Sequence, residues 1–484
     1  TITMRLHLLA LPLVPLLHAS VIDNAANWAF DNAQSVINTD GAGGGTIWGK
    51  IKKDDKYSKL VKILEFEETT IKELDKPKAM LTFFAVNNDG LKRHHDDEDD
   101  SLIGSNWFNG DLNFDDGNYP SLDRISHVLE TEPAMMEGDD DTEEEDDHIF
   151  RTQKGKGGGD KDKKRRRRMF KKIVRAVLQY HTLPLEMTGP QLAQNSTVAT
   201  CLLPHDGSAD GLARRIHLQK HLVPPSVVVN FYARVESSND ADNGKLHEIN
   251  HPLLPPGSIF DGLFFMPKYF ATTSSAIQAV HGRDFVDYHG KCKGHKHDSL
   301  KDSGKGSGSS HGTPLATLFA PSNDAWESLP PRLHMFLFSP FGRRCLGALL
   351  KYHYVPHTLI HAELVHHEKK GHDHKGLTTF EDDDPSFHRE IEVASGLGKD
   401  YKLKVVLDKT VILPIEGATK TSIKVNDVEA KLIDIPARNG AWHTLDRVLC
   451  PPHKDKKPHD EAYHPDGEWA GWEQWLPEWV DAQE

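Results

Sequence analysis

Residues 317–324 read TLFAPSND, and residues 82–89 read TFFAVNND. Both stretches run threonine, an apolar residue, Phe-Ala, one further residue and a polar ending in Asn-Asp, and they lie 235 positions apart (317 − 82 = 235). A short apolar run followed by helix-capping side chains is typical of a buried strand that leads into a helix. The repetition of the phrase predicts that the chain contains two copies of one module.

Two further motifs occur once in each half of the chain. They are a Tyr-His pair after an apolar helical pattern and an Asn-Gly-x-x-His phrase, found at 180–181 and 352–353, and at 243–247 and 439–443. The second motif keeps a constant offset of 196 between its copies (439 − 243 = 196). The same three motifs in the same order indicate a tandem repeat of the whole module.

Polar segments interrupt both copies. The first motif precedes the Tyr-His pair by 98 residues in one copy (180 − 82) and by 35 in the other (352 − 317), and the excess matches a block of charged runs at about 94–168. Polar, glycine- and histidine-rich insertions stand at about 289–312 and 366–386. Such compositions bury little, so we expect disordered loops within two domains, 46–256 and 257–453.

Composition narrows the class of protein. The chain has 484 residues, a formal net charge of −14, and 37% hydrophobic and 27% charged residues. Net acidity argues against general nucleic-acid binding, because contacts with phosphates need a basic surface. Four cysteines do not make a disulfide-dense scaffold, so the hydrophobic cores must provide the stability.

The N-terminal residues have the pattern of a secretory signal peptide. Arg5 precedes an apolar run too short to span a membrane, and Ala19 and Ser20 are small residues suited to cleavage. No later segment reaches the roughly 18 continuous apolar residues of a membrane helix. We expect residues 4–20 to be a signal peptide, although a buried helix is the other interpretation. The protein is then secreted, to the extracellular space or cell wall, with the vacuole lumen as the alternative.

The second copy contains TLFAPSNDAWESLP (317–330), a Tyr-His pair and NGAWHTLDRVLCPP (439–452). These motifs resemble the fasciclin-1 (FAS1) family, in particular tandem fasciclin-like proteins of fungi. The resemblance implies an α+β fold in which each module is a β-sandwich or wedge flanked by helices. It also implies adhesion outside the cell, with no catalytic activity and no cofactor. The first copy departs from the pattern at Val86, Gly90 and Asn250.

The resemblance implies a role in receptor binding for the Tyr-His region, here Tyr352 and His353. His443 and Asp446 alternate with apolar residues, as on a strand with one wet face, and complete the candidate binding residues. The other interpretation is a core tyrosine and a hydrogen-bonded structural histidine. No nucleophile with a base and an orienting acid recurs in both copies, so we expect no catalytic residues and no enzyme.

Histidines in the insertions are candidate metal ligands. His366, His367, His372 and His374 form a cluster that suits loosely held Zn²⁺ or Cu²⁺, or alternatively a solvated loop. This leaves a His-rich metal-binding or hydrolytic secreted protein as an alternative function. A Gly-x-Ser-x-Gly match at 308–312 stands in a polar insertion rather than between a strand and a helix.

Two modification signals follow from a secreted location. A basic run ends at Arg167 and Arg168, where a kexin-like protease would cut an exposed loop; a solvated tract is the alternative, and a nuclear signal conflicts with the signal peptide. Asn195 begins the Asn-Ser-Thr sequon and is the candidate glycosylation site.

The tail, 454–484, is acidic and rich in tryptophan. Trp469, Trp472, Trp475 and Trp479 are spaced 3, 3 and 4 residues apart, which places them on one helical face. This helix either docks on the second module or anchors a partner or polysaccharide. The chain as a whole predicts a secreted adhesion protein that binds a cell-surface, cell-wall or matrix protein or polysaccharide, and a lumenal vacuolar or endosomal protein is a further alternative.

Overall fold

The computed structural model describes residues 45–92, 120–131, 159–222, 225–289, 311–368, 377–379, 386–412, 418–452 and 465–483. These residues form two modules, and each module is built on one seven-stranded sheet with helices packed against it. The predicted α+β fold with two tandem modules is confirmed. The proposed signal peptide at 4–20 lies outside the described residues.

The first module contains six α-helices and seven strands in the described residues. The helices are α1 Ile47–Lys53, α2 Ser58–Glu67, α3 Thr69–Leu74, α4 Leu122–Thr131, α5 Gly159–Tyr180 and α6 Gly189–Gln194. The strands are β1 Leu81–Val86, β2 Thr182–Leu183, β3 Thr197–Ala199, β4 Arg215–Leu222, β5 Pro225–Val229, β6 Ala233–Ala241 and β7 Gly244–Ile249.

The second module follows the same plan in its described part and adds short strands. Its helices are α7 Ile259–Phe265, α8 Pro267–Ala279, α9 Arg283–Val286, α10 Asn323–Glu327, α11 Pro331–Leu337, α12 Arg343–Tyr352, α13 Pro465–Glu468 and α14 Trp472–Asp481. Its strands are β8 Tyr288–His289, β9 His311–Gly312, β10 Ala316–Pro321, β11 Tyr354–Pro356, β12 Thr358–His361, β13 Leu364–His367, β14 Leu377–Thr379, β15 Phe387–Ser395, β16 Gly398–Val411, β17 Thr419–Val425, β18 Val428–Ala437 and β19 Gly440–Leu445.

The two main sheets have one topology. The strand order is β2-β1-β7-β6-β5-β4-β3 in the first module and β11-β10-β19-β18-β17-β16-β15 in the second. The strand of the repeated phrase pairs in parallel with the strand of the Asn-Gly motif, as β1 with β7 and as β10 with β19. The motifs that identify the repeat in the sequence are therefore neighbours in space.

The repeated phrase forms an interior strand, next to the edge strand of its sheet, because it is apolar on both faces. All six residues of β10 are buried, and so are five of the six in β1. A strand covered on both sides reads as a continuous apolar run, which is what the sequence shows. Each module has its own large hydrophobic core, and a small third cluster at Ala209, Leu315, Leu359, Leu364 and Ala441 joins them.

Several sequence predictions for the insertions are corrected. The basic run does not lie in an exposed loop, because residues 159–180 form the helix α5, whose apolar residues pack into the first core. Part of the predicted loop at 366–386 belongs to the strands β13 and β14, which form a three-stranded sheet with β12. Within the charged block, the mixed stretch between the charged runs contains the helix α4. The rest of these insertions lies outside the described residues.

The continuous apolar stretch at 225–235 contributes to two strands, β5 and β6. The chain turns sharply between them because Asn230 and Phe231 adopt left-handed backbone angles, with φ of 50° and 71°. The Asn230 side chain accepts the backbone N–H of His217 at 2.9 Å and donates to the hydroxyl of Tyr180 at 2.9 Å. These long-range bonds hold the turn in place, and periodicity alone does not reveal them.

The tryptophan-rich tail docks on the second module. All four tryptophans on its face are buried, and Trp479 meets Tyr352 and Tyr401 edge-on with ring centroids 6.1 and 5.9 Å apart. Trp472 packs on Phe336 at 5.1 Å. Of the two interpretations of the tail, docking is the one found, and an exposed anchor is not.

Candidate functional site

The histidine of each Tyr-His pair is fully buried at the end of a helix. Nδ1–H of His181 donates to the carbonyl of Val177 at 2.8 Å, and Nε2 accepts the backbone N–H of Leu253 at 2.9 Å. His353 makes the same two bonds at the equivalent positions, at 2.7 and 2.8 Å. Both ring nitrogens are therefore used to tie the helix to the segment that follows the last motif.

The tyrosines of the two pairs are also equivalent. The hydroxyl of Tyr180 accepts from Asn230 and that of Tyr352 accepts from Asn426, each at 2.9 Å. Burial raises the pKa of Tyr352 to about 12, so its phenol stays neutral at physiological pH. The pair is a structural junction between a helix and a strand turn in both modules.

The histidine of the last motif stacks on the phenylalanine of the repeated phrase. The ring centroids of His247 and Phe84 are 5.6 Å apart, and those of His443 and Phe319 are 5.4 Å apart. Nε2–H of each histidine donates to a backbone carbonyl, at 2.9 Å in the first module and 3.0 Å in the second. Burial lowers the pKa of both rings to about 4, so they are neutral at pH 7.

The Asn-Gly pair holds the start of each module. Oδ1 of Asn243 and of Asn439 accepts the first backbone N–H of a helix, at 2.8 and 3.0 Å. The following glycines have φ of 147° and 144°, and a Cβ on Gly244 or Gly440 would stand 1.9 or 1.8 Å from a carbonyl oxygen of the neighbouring strand. A glycine is required there because any side chain would separate the parallel strands.

The structure places the predicted binding residues mainly inside the second module. Tyr352, His353 and His443 are 2%, 0% and 0% exposed, so they do not form a contact surface in this conformation. Asp446 is partly exposed, and its carboxylate lies 3.2 Å from Nζ of Lys431. Any part that the three buried side chains play in binding is through the surface they support.

One position near the histidine of the last motif differs between the two copies, and in the second module it lies at the contact between the modules. At the constant offset of 196, Ser238 corresponds to Asp434. The hydroxyl of Ser238 bonds Nδ1 of His247 at 2.6 Å, whereas His443 instead accepts the backbone N–H of Asp434 at 2.9 Å. Asp434 lies in an irregular part of β18 with a φ of 60°, and its carboxylate lies 3.9 Å from Nδ1 of His443.

The carboxylate of Asp434 reaches across the junction between the modules. It accepts the hydroxyl of Ser196, in the first module, at 2.5 Å and the backbone N–H of Ala362 at 2.9 Å. Nδ1 of His361 lies 3.4 Å away. The backbone carbonyl of Asp434 accepts from Nδ1 of His217, also in the first module, at 3.2 Å. One residue of the second module therefore bonds two elements of the first.

Charged side chains surround this contact. Glu363 is 5% exposed; it accepts the backbone N–H of Ser196 at 3.1 Å and lies 2.6 Å from Nζ of Lys409. Lys220, of the first module, donates to the hydroxyl of Thr419 at 2.7 Å. Burial lowers the pKa of Lys220 to about 8. Buried charges are tolerated only where they are paired and hydrogen-bonded, as they are here.

A second group of contacts extends the junction along its length. The guanidinium of Arg214 donates to the carbonyl of Arg438, whose own Nη2 donates to the carbonyl of Tyr288 at 2.6 Å. Nε2 of His366 lies 2.8 Å from the carboxylate of Asp210. Both modules contribute charged side chains that are almost completely buried, so their relative orientation is set by directional bonds.

The electrostatics of the junction favour an ionised carboxylate among neutral imidazoles. Burial alone would raise the pKa of Asp434, but contacts with His361, His443 and Ser196 outweigh it, and the pKa lies well below its usual range. Burial lowers the pKa of His217 to about 4 and also lowers that of His361. The junction is thus stable as a negative centre held by neutral donors at pH 7.

The junction contains serine, histidine and aspartate but not in a catalytic order. A serine nucleophile is activated by a histidine that is in turn oriented by an acid. Here the hydroxyl of Ser196 donates to Asp434 directly, and the residue is 8% exposed. This arrangement binds the modules together and does not prepare a nucleophile.

The predicted histidine cluster falls partly within the described chain. His366 is buried against Asp210, His367 is exposed and bonds Thr358, and His372 and His374 lie outside the described residues. Across the part of the chain that the structure describes, no three metal-binding side chains converge.

The proposed processing residues Arg167 and Arg168 stand within α5, half-buried. The guanidinium of Arg167 lies 5.9 Å from the ring centroid of Phe66. Asn195 is half-buried beside the junction, and its side chain donates to the carbonyl of Gln191 at 2.8 Å.

No helix within the described ranges is both long and apolar enough to cross a membrane.

Sequence reasoning did not predict the junction residues Ser196, His361, Glu363 and Asp434. One signal was available, because aspartate replaces serine at a position where the repeat otherwise holds its offset. The role of this aspartate cannot be inferred from one module by itself, because its partner Ser196 lies 238 residues away in the chain.

Comparison with known proteins points to the second module. Residues 299–451 match the family model described as the Fasciclin domain. Aurofusarin biosynthesis cluster protein S of Gibberella zeae is 31% identical over 151 residues, 29% of this chain and 34% of that protein. Protein sll1483 of Synechocystis is 28% identical over 136 residues, 28% of this chain and 55% of that protein. The matched parts thus span about a third and about half of these relatives.

Among solved structures, a FAS1 domain pair from the insect cell adhesion molecule fasciclin I aligns with 83% of this chain and 95% of its own. The two are 12% identical with a TM-score of 0.27, a global similarity too low to support any conclusion about this chain.

Proposed function

We propose that this chain, in which residues 299–451 match the Fasciclin domain, is a secreted adhesion protein that binds a cell-surface, cell-wall or matrix protein or polysaccharide. Fasciclin domains are known in adhesion and matrix proteins and are generally not enzymes. The sequence pattern of residues 4–20 supports secretion, and the sequon at Asn195 supports passage through a glycosylating compartment.

The observation that supports this proposal most is the buried junction between the modules. Separate domains on one chain ordinarily move relative to each other unless their interface is extensive. Here Ser196 and Asp434, together with Arg214 and Arg438, join the modules by buried directional bonds. A unit with one fixed shape binds a large partner without the cost of ordering two independent domains, which suits an adhesive role.

The chemistry of the signature residues supports binding over catalysis. In both modules, the histidines and tyrosines that could take part in catalysis make structural hydrogen bonds instead. These residues are His181, His353, His247, His443, Tyr180 and Tyr352. A neutral, fully buried imidazole with both nitrogens bonded has no site for a substrate proton.

The test has two parts. A tagged full chain expressed in a fungal cell is expected in the medium or the wall fraction, and the purified protein is expected to sediment with wall and surface material. A chain retained in the vacuole lumen would favour the lumenal alternative, and purified protein that ignores every wall, surface and matrix fraction would contradict adhesion.

A matched pair of variants tests whether the fixed junction matters. Ser196→Ala removes the bond to Asp434 and keeps the sequon, since Asn195 and Thr197 remain and the middle position of Asn-x-Thr accepts alanine. Ser238→Ala removes the hydroxyl at the position equivalent to Asp434 within one module. We expect the first variant to bind wall material more weakly and the second to bind like the wild type.

A further inference from the structure

The contact between the modules is held mainly by polar groups. The small apolar cluster there has one buried residue from the first module, Ala209. Its other buried members all come from the second module: Leu315, Leu359, Leu364 and Ala441. Hydrophobic stabilisation grows with the apolar area that is removed from water, so it is small at this contact. The modules therefore depend on hydrogen bonds and charges to stay docked.

Several polar atoms at the junction are buried without a hydrogen-bond partner. Among the described residues these include Nδ1 of His361, Nδ1 of His366, and Nε and Nη1 of Arg438. A buried polar atom without a partner has lost its bond to water and gained none in return, which costs free energy. Separation of the modules would return these atoms to water, so the docked state already carries a penalty at neutral pH.

The chain passes from one module to the other through the short segment 250–258, between β7 and α7. The backbone N–H of Leu254 donates to the hydroxyl of Tyr232, in the first module, at 2.8 Å. The carbonyl of Gly257 accepts the backbone N–H of Arg438, in the second module, at 2.7 Å. Only two prolines lie between these attachments. A hinge consists of a few loop residues that absorb a change in backbone angles, and this segment has that position between two modules that fold separately.

Two histidines lie at this polar contact, one from each module. Nδ1–H of His217, in the first module, donates to the carbonyl of Asp434 at 3.2 Å, and its ring stacks on Phe231 with centroids 4.1 Å apart. His361, in the second module, is 1% exposed, and its Nδ1 lies 3.4 Å from the carboxylate of Asp434. Both rings are buried where the modules meet, so separation of the modules would expose them to water.

The charged groups around these two rings do not suit additional protons. The titratable and charged side chains that face them are two carboxylates, three cationic groups and one further imidazole: Asp434, Glu363, Lys409, Lys220, Arg215 and His443. Glu363 is already paired with Lys409 at 2.6 Å, which leaves Asp434 as the carboxylate nearest the rings. The cations outnumber the carboxylates, so two more positive charges in this buried group would repel each other and their neighbours.

We propose that the junction is an acid-sensitive contact: protons taken up by His217 and His361 undock the two modules about the segment 254–257, while each module stays folded. Burial lowers the pKa of His217 to about 4 and also lowers the pKa of His361, whereas a solvated imidazole titrates at about 6.5. The docked form therefore binds fewer protons, and the stability of docking is full above pH 6.5 and falls as the pH drops toward 4. Between pH 7.5 and 5.5, His217 alone is expected to weaken docking about tenfold.

One histidine at the junction acts in the opposite direction. Nε2 of His366 lies 2.8 Å from the carboxylate of Asp210, which belongs to the first module. A proton on this ring adds an ionic attraction between the modules and opposes their separation. Replacement of His366 should therefore make docking more sensitive to acid, whereas replacement of His217 should make it less sensitive.

The test is amide hydrogen exchange of the full chain, followed by mass spectrometry. The backbone N–H groups of Ser196 and Ala209, in the first module, donate to the carboxylate of Glu363 at 3.1 Å and to the carbonyl of Pro314 at 2.6 Å, both in the second. Their protection factors, corrected for the intrinsic pH dependence of exchange, are expected to fall together by about tenfold or more from pH 7.5 to 5.5. Amides of β1 and β10 are expected to stay better protected than these two at both pH values, because the modules remain folded.

Variants with asparagine separate the proton from the hydrogen bond. His217→Asn keeps an N–H group near the position of Nδ1 but takes up no proton, so the fall in protection should be about tenfold smaller than in the wild type. His361→Asn should also reduce the fall, and His366→Asn should enlarge it. His127→Asn, which replaces an exposed imidazole on α4, is the control for the substitution itself. An unchanged far-ultraviolet circular dichroism spectrum at pH 7.5 shows that the variants fold.

Three results would overturn the inference. The first is protection of Ser196 and Ala209 that does not change between pH 7.5 and 5.5. The second is protection of these amides equal to that of β10, since the contact would then open only when the modules unfold. The third is a fall of full size in both His217→Asn and His361→Asn. The proposal concerns the shape of the chain, so its failure would leave binding to wall or matrix fractions at neutral pH unaffected.

Discussion

The two modules keep the same hydrogen bonds with different residues. In the second, the hydroxyl of Ser322 accepts the backbone N–H of Ala325 at 3.1 Å; in the first, Oδ1 of Asn87 accepts that of Gly90 at 2.8 Å. The asparagine that follows accepts a helix N–H in both copies. The diverged phrase TFFAVNND thus preserves the geometry of TLFAPSND, because a cap requires an acceptor at the right distance and not one residue type.

The departure at Gly90 has a steric reason. A Cβ there would lie 2.5 Å from the carbonyl of Asn250 and 2.8 Å from the side chain of Val86. The second module accommodates Ala325, fully buried, at the equivalent position. The departures at Val86 and Gly90 are therefore one coupled change in packing.

The instructive difference is at Ser238 and Asp434. The Ser238 side chain bonds the histidine of its own module. In the second module the backbone N–H of Asp434 makes the bond to the histidine, and the Asp434 side chain bonds Ser196 of the first module. In both modules this position lies beside the histidine of the last motif. The residue found there differs between the copies, and in the second module it makes a contact with the first. The docked tail is a second asymmetry, present in the described part of the second module alone.

The largest expected effect is at the tail. Deleting residues 465–484 removes four buried tryptophans from the second core, and a single buried tryptophan is worth about 3–5 kcal/mol. We expect the second module to lose its cooperative unfolding transition, measured by denaturant titration with circular dichroism. Trp479→Ala should cost about 3 kcal/mol, while Glu473→Ala, on the exposed side of the same helix, should change little. Equal behaviour of these two single variants would show that the tail is not part of the core.

The pH dependence of stability tests a feature that the two modules share, their buried histidines. Burial lowers the pKa of five histidines to about 4: His181, His217, His247, His353 and His443. Unfolded histidines titrate at about 6.5, so the unfolded chain binds more protons, and the stability these groups provide is full above pH 6.5 and falls as the pH drops toward 4. At pH 5.5 we expect a loss of about 1 kcal/mol for each histidine in the free energy of unfolding.

The control for acid uses an exposed histidine. His251→Gln, which replaces an exposed imidazole, is the control for the substitution itself. His443→Gln should flatten the pH dependence by about one histidine's share. A pH profile that is flat between 7 and 5.5 would contradict the neutral, buried state of these rings.

Substitutions at the equivalent positions Asp434 and Ser238 should lower the free energy of unfolding by different amounts. Asp434→Ala removes the buried acceptor of the Ser196 hydroxyl and of the Ala362 backbone N–H, and should cost about 3 kcal/mol because a buried donor is left unsatisfied. Ser238→Ala removes one neutral hydrogen bond and should cost about 1 kcal/mol. Both are measured by urea unfolding of the full chain, and similar losses would mean that the junction adds nothing to stability.

The smallest expected effect is an exchange at the repeated phrase. Gly90→Ala meets a carbonyl that cannot retreat and should cost about 2 kcal/mol, whereas Ala325→Gly only loosens the backbone and should cost about 1 kcal/mol. Thermal unfolding of both variants checks the order. A stabilising Gly90→Ala would show that the coupled change in packing proposed above is wrong.

Much of the fold could be predicted because the motifs are local or periodic. The central strands, the helices that end in Tyr-His and the Asn-Gly turns are each written in a few consecutive residues. The strands β13 and β14 pair with neighbouring segments, but the polar, histidine-rich composition around them predicts a loop. The split at Asn230 could not be predicted, because one of the bonds that stabilise it comes from Tyr180, 50 positions earlier in the chain. The same holds for α5, whose basic first half continues a helix that the apolar second half anchors in the core.

The sequence by itself determined that two copies of one α+β module follow each other, because three motifs recur in order with matching offsets. Only the tertiary structure decided that the signature histidines and tyrosines are buried supports, that the tail completes a core, and that Asp434 joins the modules. The reason is physical: apolar period and capping chemistry act over a few residues, whereas a contact such as that of Ser196 with Asp434 spans 238 positions and exists only once both modules have folded.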